Sequence, residues 1–546
     1  MHTATKATKA TKATKYSILL LTPGFGIFLS NTVALNLWGY FELNPTQIIF
    51  FNSIISISAL LLMYFKFRFK IDSSKLLYSL FTSLLVLAFV TLINARDIIR
   101  VGLYEYFPLT NGDTFTYLGQ VDQLNQVVKN SPLLEYSAGY SPTLGPVGGR
   151  DTVSLYLGMN GNMIPGDTYS DFFLTQRFAF FLLAQILIGI VLIITSSYLI
   201  SAVSLMFSVF GNFYFNSILQ QFASGTLGAV YLAIAFFLLC SISGQVSGRL
   251  RVILIVMLGI LLGNFVSASP ETFGVAFPIV LMSLTGIVLS EKGASWKKEF
   301  FILIVSAIIA SVVTLAKNLL FIKSQFQYSN VEHPGDALAS PGMLINALGI
   351  STSGPTTFSA MPRIFQVLIL VGIFALVLFV GSSLQLTKSN KFDLKAKGQI
   401  LTSLTFLSAF CVLYIVFLLR GKGYSLMKIV DYMNFIVPII LSLSLWIVVK
   451  HIPTMKLLMF VSFALFFVTF NSEKQKILNT YITEIQSRPS YSTLVKDSMK
   501  KSAFLEPDLA GDRLNIYLYA NRNQSSVVRF KSIDSGRFVP TGPGDD

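Results

Sequence analysis

The segment 173-FLTQRFAFFLLAQILIGIVLIITSSYLISAVSLMFSVFGN-212 decides the fold, because its reading sets the direction of everything after it. It is apolar almost throughout and too long for one ordinary bilayer span of about 20 residues. The one interruption is TSSY (195–198). Ser and Thr side chains hydrogen-bond to nearby backbone and so compete with a continuous helix. The basic stretches KFRFKIDSSK (66–75) and SGRLR (247–251) lie on either side. They reach one face only if the segment makes two spans, broken at TSSY, whereas a single long tilted helix would invert every loop downstream.

Working outward, the whole chain reads the same way. Of its 546 residues 53% are hydrophobic and only 12% charged, with a mean hydropathy of +0.66. A soluble domain carries about 25% charged residues. The expectation is an all-α polytopic membrane protein. Its net charge of +15 lies mostly in short loops between apolar runs, where it orients helices rather than binding nucleic acid. Cys240 and Cys411 fall inside apolar runs and read as packing residues.

The basic loops 66–75, 247–251, 291–299, 388–397 and 450–456, with the TKA-repeat leader 1–15, are expected on the cytoplasmic side. About 13 spans follow: 16–40, 46–66, 75–95, 173–195, 197–212, 222–243, 251–268, 271–290, 299–321, 360–386, 399–419, 425–449 and 455–471. The membrane domain is then 16–471. Its long polar loops 96–172 and 322–358 face outward, as does a C-terminal segment 472–546. In that segment RLNIYLYANRNQSSVVRFKSID (513–534) reads as two short strands about a turn, giving a small α/β tail, and FVPTGPGDD as a loose end.

Ionisable and polar groups gather at the outward face. In RGKGYSLMKIVDY (420–432), Arg420 and Lys422 occupy a short turn where cations are disfavoured. Lys428 and Asp431 stand three residues apart on the next helix, hence on one face, with Tyr424 and Tyr432 nearby. One reading is a self-neutralising pair with snorkelling neighbours; the other is a cationic pocket for a phosphate or diphosphate. Glu271, just after Pro270, meets a helix dipole or accepts hydrogen bonds from substrate. Gln220 and Gln221 open another span, where amides satisfy helix ends or bind sugar hydroxyls. Asp113 lies just beyond the third span in NGDTFTYLGQ (111–120), as a helix cap or an acid/base, with Tyr117 suited to stacking on a sugar.

VEHPGD (331–336) reads more readily as a turn than as a metal site of Glu332, His333 and Asp336, whose spacing matches no strong zinc or calcium pattern; the cofactor is unknown, a divalent cation being the open alternative without a ligand motif. The sequence contains no Walker A loop, dinucleotide fingerprint, HExxH or GxSxG. No cytoplasmic loop is large enough for a nucleotide-binding domain, so if the chain is an enzyme, its activated substrate is expected on the outer side, carried by lipid.

Taken with the many spans, NSILQQFASGTLG (216–228), SASPET (267–272) and GYSLMKIVDY (423–432) resemble stretches of the GT-C class of integral membrane glycosyltransferases. The resemblance implies transfer of a sugar from a polyprenyl-phosphate donor to a glycan, lipid or protein acceptor at the outer leaflet. Asp113 would serve as base, Arg420, Lys422 and Lys428 would hold the donor phosphate, and Tyr117, Gln220, Gln221, Glu271, Tyr424 and Asp431 would contact substrate. Two departures stand: the acidic loop follows the third span instead of the first, and Asp113 has no paired carboxylate. The competing expectations are a secondary transporter or flippase of a lipid-linked substrate, a polysaccharide polymerase or ligase, and a non-enzymatic assembly subunit. The short loops point to a prokaryotic cytoplasmic membrane.

Overall fold

The computed structural model describes residues 23–41, 43–67, 73–90, 92, 96–101, 151–161, 168–209, 223–243, 248–290, 296–328, 394–451, 468, 472, 474–479, 482, 529–533 and 537–541. Helix α1 runs over 23–41. It is followed by α2 (Pro45–Phe67), α3 (Ser73–Val90), α4 (Arg96–Val101), α5 (Asp151–Gly161), α6 (Thr168–Thr195) and α7 (Tyr198–Val209). Then come α8 (Ala223–Ile242), α9 (Arg249–Ala268), α10 (Pro270–Ser290), α11 (Trp296–Tyr328), α12 (Leu394–Leu419) and α13 (Gly423–His451).

Local chemistry sets several boundaries. At the start of α2, Gln47 N–H donates to Asn44 Oδ1 (2.9 Å) and Asn44 N–H to Gln47 Oε1 (3.0 Å). This is a reciprocal capping box, with Pro45 at the first helical position, where its missing N–H costs nothing. The TSSY break is present between α6 and α7. Ser196 adopts φ 53°, Thr195 Oγ1 turns back to the Val191 carbonyl (2.8 Å), and Ile200 N–H donates to Ser197 Oγ (3.4 Å) at the head of α7. Two helices therefore occupy this segment; α6 is long and apolar enough to cross a membrane, whereas the described part of α7 has only 12 residues.

Five helices among the described residues are long and apolar enough to cross a membrane, within α6, α8, α9, α12 and α13. Exposed apolar faces suit lipid contact, as on α2 (Phe50, Ile54, Ile57, Leu61), α3 (Leu77, Leu80, Phe81, Leu84) and α11 (Phe301, Ile304, Ile308). These apolar helices fit a multi-pass membrane protein. Expected spans 360–386 and 455–471 lie outside the described residues, apart from 468.

Helix α8 is the hub: it packs against α5, α6, α9, α10, α12 and α13 and is buried along nearly its whole length. The most extensive pairing, α9 on α11, is set by glycine. A Cβ on Gly259 would sit 2.5 Å from the Leu303 carbonyl oxygen, and one on Gly263 at 2.5 Å from that of Ala307. The four-residue spacing places both glycines on one face, so the backbones approach closely, as in small-residue membrane interfaces.

One expectation is corrected. Residues 151–161, placed by composition in a polar outer loop, form α5. Its residues 152–159 are all buried, packed among α2, α6, α8 and α9. Its 11 residues span only about 16 Å, too short to cross a bilayer. Thr152 and Ser154 make it look like a loop by hydropathy, although protein, not solvent, surrounds them.

In the C-terminal segment β1 (Arg529–Ile533) and β2 (Arg537–Thr541) pair antiparallel, with Ile533 opposite Arg537. This hairpin lies further along the chain than expected. It takes 538–541 out of the stretch read as a loose end, while 513–528 are outside the described residues.

Candidate functional site

The two ends of the bundle can be told apart by what meets there. At one end Arg251, at the start of α9, donates Nε to Glu299 Oε1 (2.7 Å) and Nη2 to Glu299 Oε2 (3.0 Å) at the start of α11. Its Nη1 donates to the Ile242 carbonyl at the end of α8 (3.3 Å). The loops 247–251 and 291–299 therefore share a side. The opposite end gathers the start of α8, the α9–α10 junction and the α12–α13 turn.

That turn has a definite build. Gly421 takes φ +65°, Gly421 N–H donates to the Leu418 carbonyl (3.0 Å) and Lys422 N–H to that of Phe417 (3.0 Å). This is a Schellman closure of α12, which needs a residue free to be left-handed. The Lys422 carbonyl then accepts from Leu426 N–H (3.0 Å), so α13 begins at once. Arg420 is exposed and Lys422 half-buried, flanking the glycine. Lys428 and Asp431, both half-buried, follow on α13. Positive charge at Arg420 also offsets the carbonyl end of α12. Arg420 and Lys422 thus stand on either side of Gly421, next to the start of α13.

Tyr432, next to Asp431, lies on α8 at Gly228, where a Cβ would meet its hydroxyl at 2.6 Å. Its ring touches Phe265 of α9 (6.3 Å between centroids), Phe265 touches Tyr231 of α8 (6.4 Å), and Tyr231 touches Phe28 of α1 (6.0 Å). Polar groups accompany this ladder. Asn31 Nδ2 donates to the Tyr231 hydroxyl (3.1 Å), Asn264 Nδ2 to Thr32 Oγ1, and the Tyr156 hydroxyl to the Thr175 carbonyl (3.1 Å). Burial, with the neighbouring Tyr231 phenol adding to it, holds the Tyr156 phenol well above its usual pKa. It therefore stays a protonated donor.

No known family model matches the sequence, and no curated protein matches it. The site rests on this chain's own residues.

Of the residues singled out from sequence, Arg420, Lys422, Lys428 and Asp431 fall on one turn and the helix it opens. Tyr424 lies in the first turn of α13 and Glu271 in the first turn of α10, at the same end of the bundle. Helix α8 packs against both α10 and α13. Asp113, Tyr117, Gln220 and Gln221 lie outside the described residues. Among the described residues no cluster of three or more His, Cys, Asp or Glu side chains is placed to hold a metal.

Sequence reasoning passed over Arg177, half-buried near the start of the apolar part of α6, and the amides Asn31 and Asn264. Each carries a usable signal, since ionisable and amide side chains inside apolar helices are costly and tend to face partners or polar cavities.

Proposed function

We propose that this chain is an integral membrane glycosyltransferase that uses a polyprenyl-(di)phosphate sugar. It passes the sugar to a glycan, lipid or protein acceptor on the extracytoplasmic face of a prokaryotic cytoplasmic membrane. The N-terminus lies inside and the C-terminal segment outside. The observation that carries this reading is the α12–α13 turn, where Arg420 and Lys422 flank Gly421 of a Schellman closure at the head of a membrane-capable helix.

In the reaction the acceptor hydroxyl gives its proton to Asp113 as its oxygen bonds to the anomeric carbon. The carbon–oxygen bond to phosphate breaks, and its electron pair leaves with the phosphate. Arg420, Lys422 and Lys428 stabilise that growing charge. Tyr117, Gln220, Gln221, Glu271, Tyr424 and Asp431 orient the sugars.

Binding of a short-chain polyprenyl phosphate to the purified protein, compared with the uncharged polyprenol, tests the reading. Arg420→Gln with Lys422→Gln is expected to weaken the phosphate by about ten-fold or more, as two charge-assisted contacts are lost, and to leave the alcohol unchanged. Equal phosphate binding in wild type and variant overturns it.

A second reading, transport of a lipid-linked substrate, is favoured by the polar groups buried between α1, α8 and α9. Flux of a lipid-linked sugar across sealed vesicles, without transfer to an acceptor, decides for it.

A further inference from the structure

Helices α1, α2 and α5 share a hydrophobic cluster separate from the main core. Ala34, Leu35, Ile48, Leu155 and Met159 close it, with Trp38 packed against it. Asn52 of α2 ties it together, donating to Ser30 Oγ (3.0 Å) and lying 3.8 Å from Met159 Sδ.

Where this unit meets α6, α8 and α9, polar contacts run among the apolar ones. Phe28 and Tyr156 reach into the main core, yet Asn31–Tyr231, Thr32–Asn264 and Tyr156–Thr175 are hydrogen-bonded pairs across the same boundary. Each leaves something over. The Oδ1 atoms of Asn31 and Asn264 and the hydroxyls of Thr152 and Thr175 are buried without a hydrogen-bond partner among the described residues, in residues no more than 1% exposed. Buried, unmatched polar atoms oppose closure, and native structures keep few of them without a reason. Single atoms of this kind also occur in the main body, at Gln185 Oε1 of α6 and Asn434 Oδ1 of α13, but the helix pairs seated by glycine are built differently. Gly259 and Gly263 seat α9 on α11, and Gly286 seats α10 against Thr405 of α12, at van der Waals contact.

We infer that the boundary between the α1–α2–α5 unit and α8–α9 is a seam that opens to admit the hydroxyl-bearing end of a lipid-linked sugar, whose hydroxyls donate to Asn31 Oδ1 and Asn264 Oδ1. This rests on the glycosyltransferase reading. The leftover groups identify the ligand class: amide oxygens repel a phosphate but accept from O–H groups, and the rings of Phe28 and Tyr231 offer apolar faces to a sugar. The connection to the phosphate end is short. Asn264 adjoins Phe265, whose ring touches Tyr432, one helical turn from Lys428 on α13.

The test uses the full chain in nanodiscs, in a Cys240→Ala, Cys411→Ala background, with a small charged thiol reagent. The Thr152→Cys and Thr175→Cys variants, at the same boundary but not among the proposed acceptors, are expected to react about ten-fold faster than Ser311→Cys, which sits in the glycine-locked α9–α11 interface, because only the seam opens locally. A short-chain polyprenyl-phosphate hexose should slow both seam sites several-fold, and the same polyprenyl phosphate without sugar should not. Reactivity no greater than at Ser311→Cys, or no protection specific to the sugar, overturns the inference. Should the variants fail to fold, backbone amide exchange of the unaltered chain replaces labelling. Residues 28–34 must then exchange faster than 303–311 and slow with the hexose lipid alone. The two proposals fail separately. Sugar-specific protection with no binding dependence on Arg420 and Lys422 removes the phosphate site and keeps the seam. The reverse pattern removes the seam and keeps the phosphate site.

Discussion

Arg251 and Glu299, 48 residues apart, meet in a two-pronged ion pair with side chains only 4% and 9% exposed. The pair joins the heads of α9 and α11 and, through Arg251 Nη1 on the Ile242 carbonyl, the tail of α8. Stranding one charge in such a place costs about 3–5 kcal/mol, while an apolar pair of similar volume costs far less. Arg251→Ala should therefore lower the unfolding free energy in detergent by a few kcal/mol, and Arg251→Met with Glu299→Leu should recover most of it. Equal loss in the single and double variants would mean the pair matters for something besides charge.

Ser196 holds φ 53° between α6 and α7, a conformation that costs an L-residue about 1–2 kcal/mol. Ser196→Gly should raise stability, and Ser196→Val should lower it by about 1 kcal/mol or more, since a β-branched residue tolerates this region worst. Chemical-denaturant or thermal midpoints read both.

Close packing of α9 on α11 predicts a sharp contrast between glycines. The atoms nearest a Cβ at Gly263 are the Ala307 carbonyl oxygen at 2.5 Å and Ala310 Cβ at 2.8 Å, neither able to swing aside. Gly263→Val should cost about 1–3 kcal/mol by overpacking. At Gly26 of α1 a Cβ would meet nothing within 4 Å among the described residues, and Gly26→Ala should be neutral or stabilising.

Gly228 and Tyr432 predict a suppressor. A Cβ at 228 meets the phenol oxygen at 2.6 Å but the nearest ring carbon only at 3.3 Å. Gly228→Ala should destabilise, and adding Tyr432→Phe should restore part of the loss, a coupling measured by a double-mutant cycle. Strictly additive losses would contradict the contact.

Much of the helical plan is legible because bilayer-length apolar runs and basic loops follow from solvent physics alone. The TSSY break follows from its Thr and Ser side chains, which serve backbone groups at the end of α6 and the head of α7. The cationic turn is equally plain in RGKG, although the left-handed geometry at Gly421 explains one glycine without any ligand. Helix α5 is hidden because hydropathy cannot tell a polar segment bathed in water from one enclosed by four helices. The Thr32–Asn264 contact spans 232 residues of sequence. No local pattern announces such a partner, even though an amide inside an apolar run marks a place worth attention. The Gly259–Gly263 spacing is readable as a packing motif, and its partner helix is not.

Sugar transfer itself tests the account most directly. Purified wild-type protein and Asp113→Asn, each offered a panel of polyprenyl-phosphate sugars with candidate acceptors, would be compared for turnover and for donor binding. The account predicts transfer by the wild type with at least one donor, and in Asp113→Asn a loss of about 100-fold or more, as expected for removing a general base, with donor binding retained. Undiminished turnover in Asp113→Asn, or donor binding without transfer by the wild type across the whole panel, would contradict it.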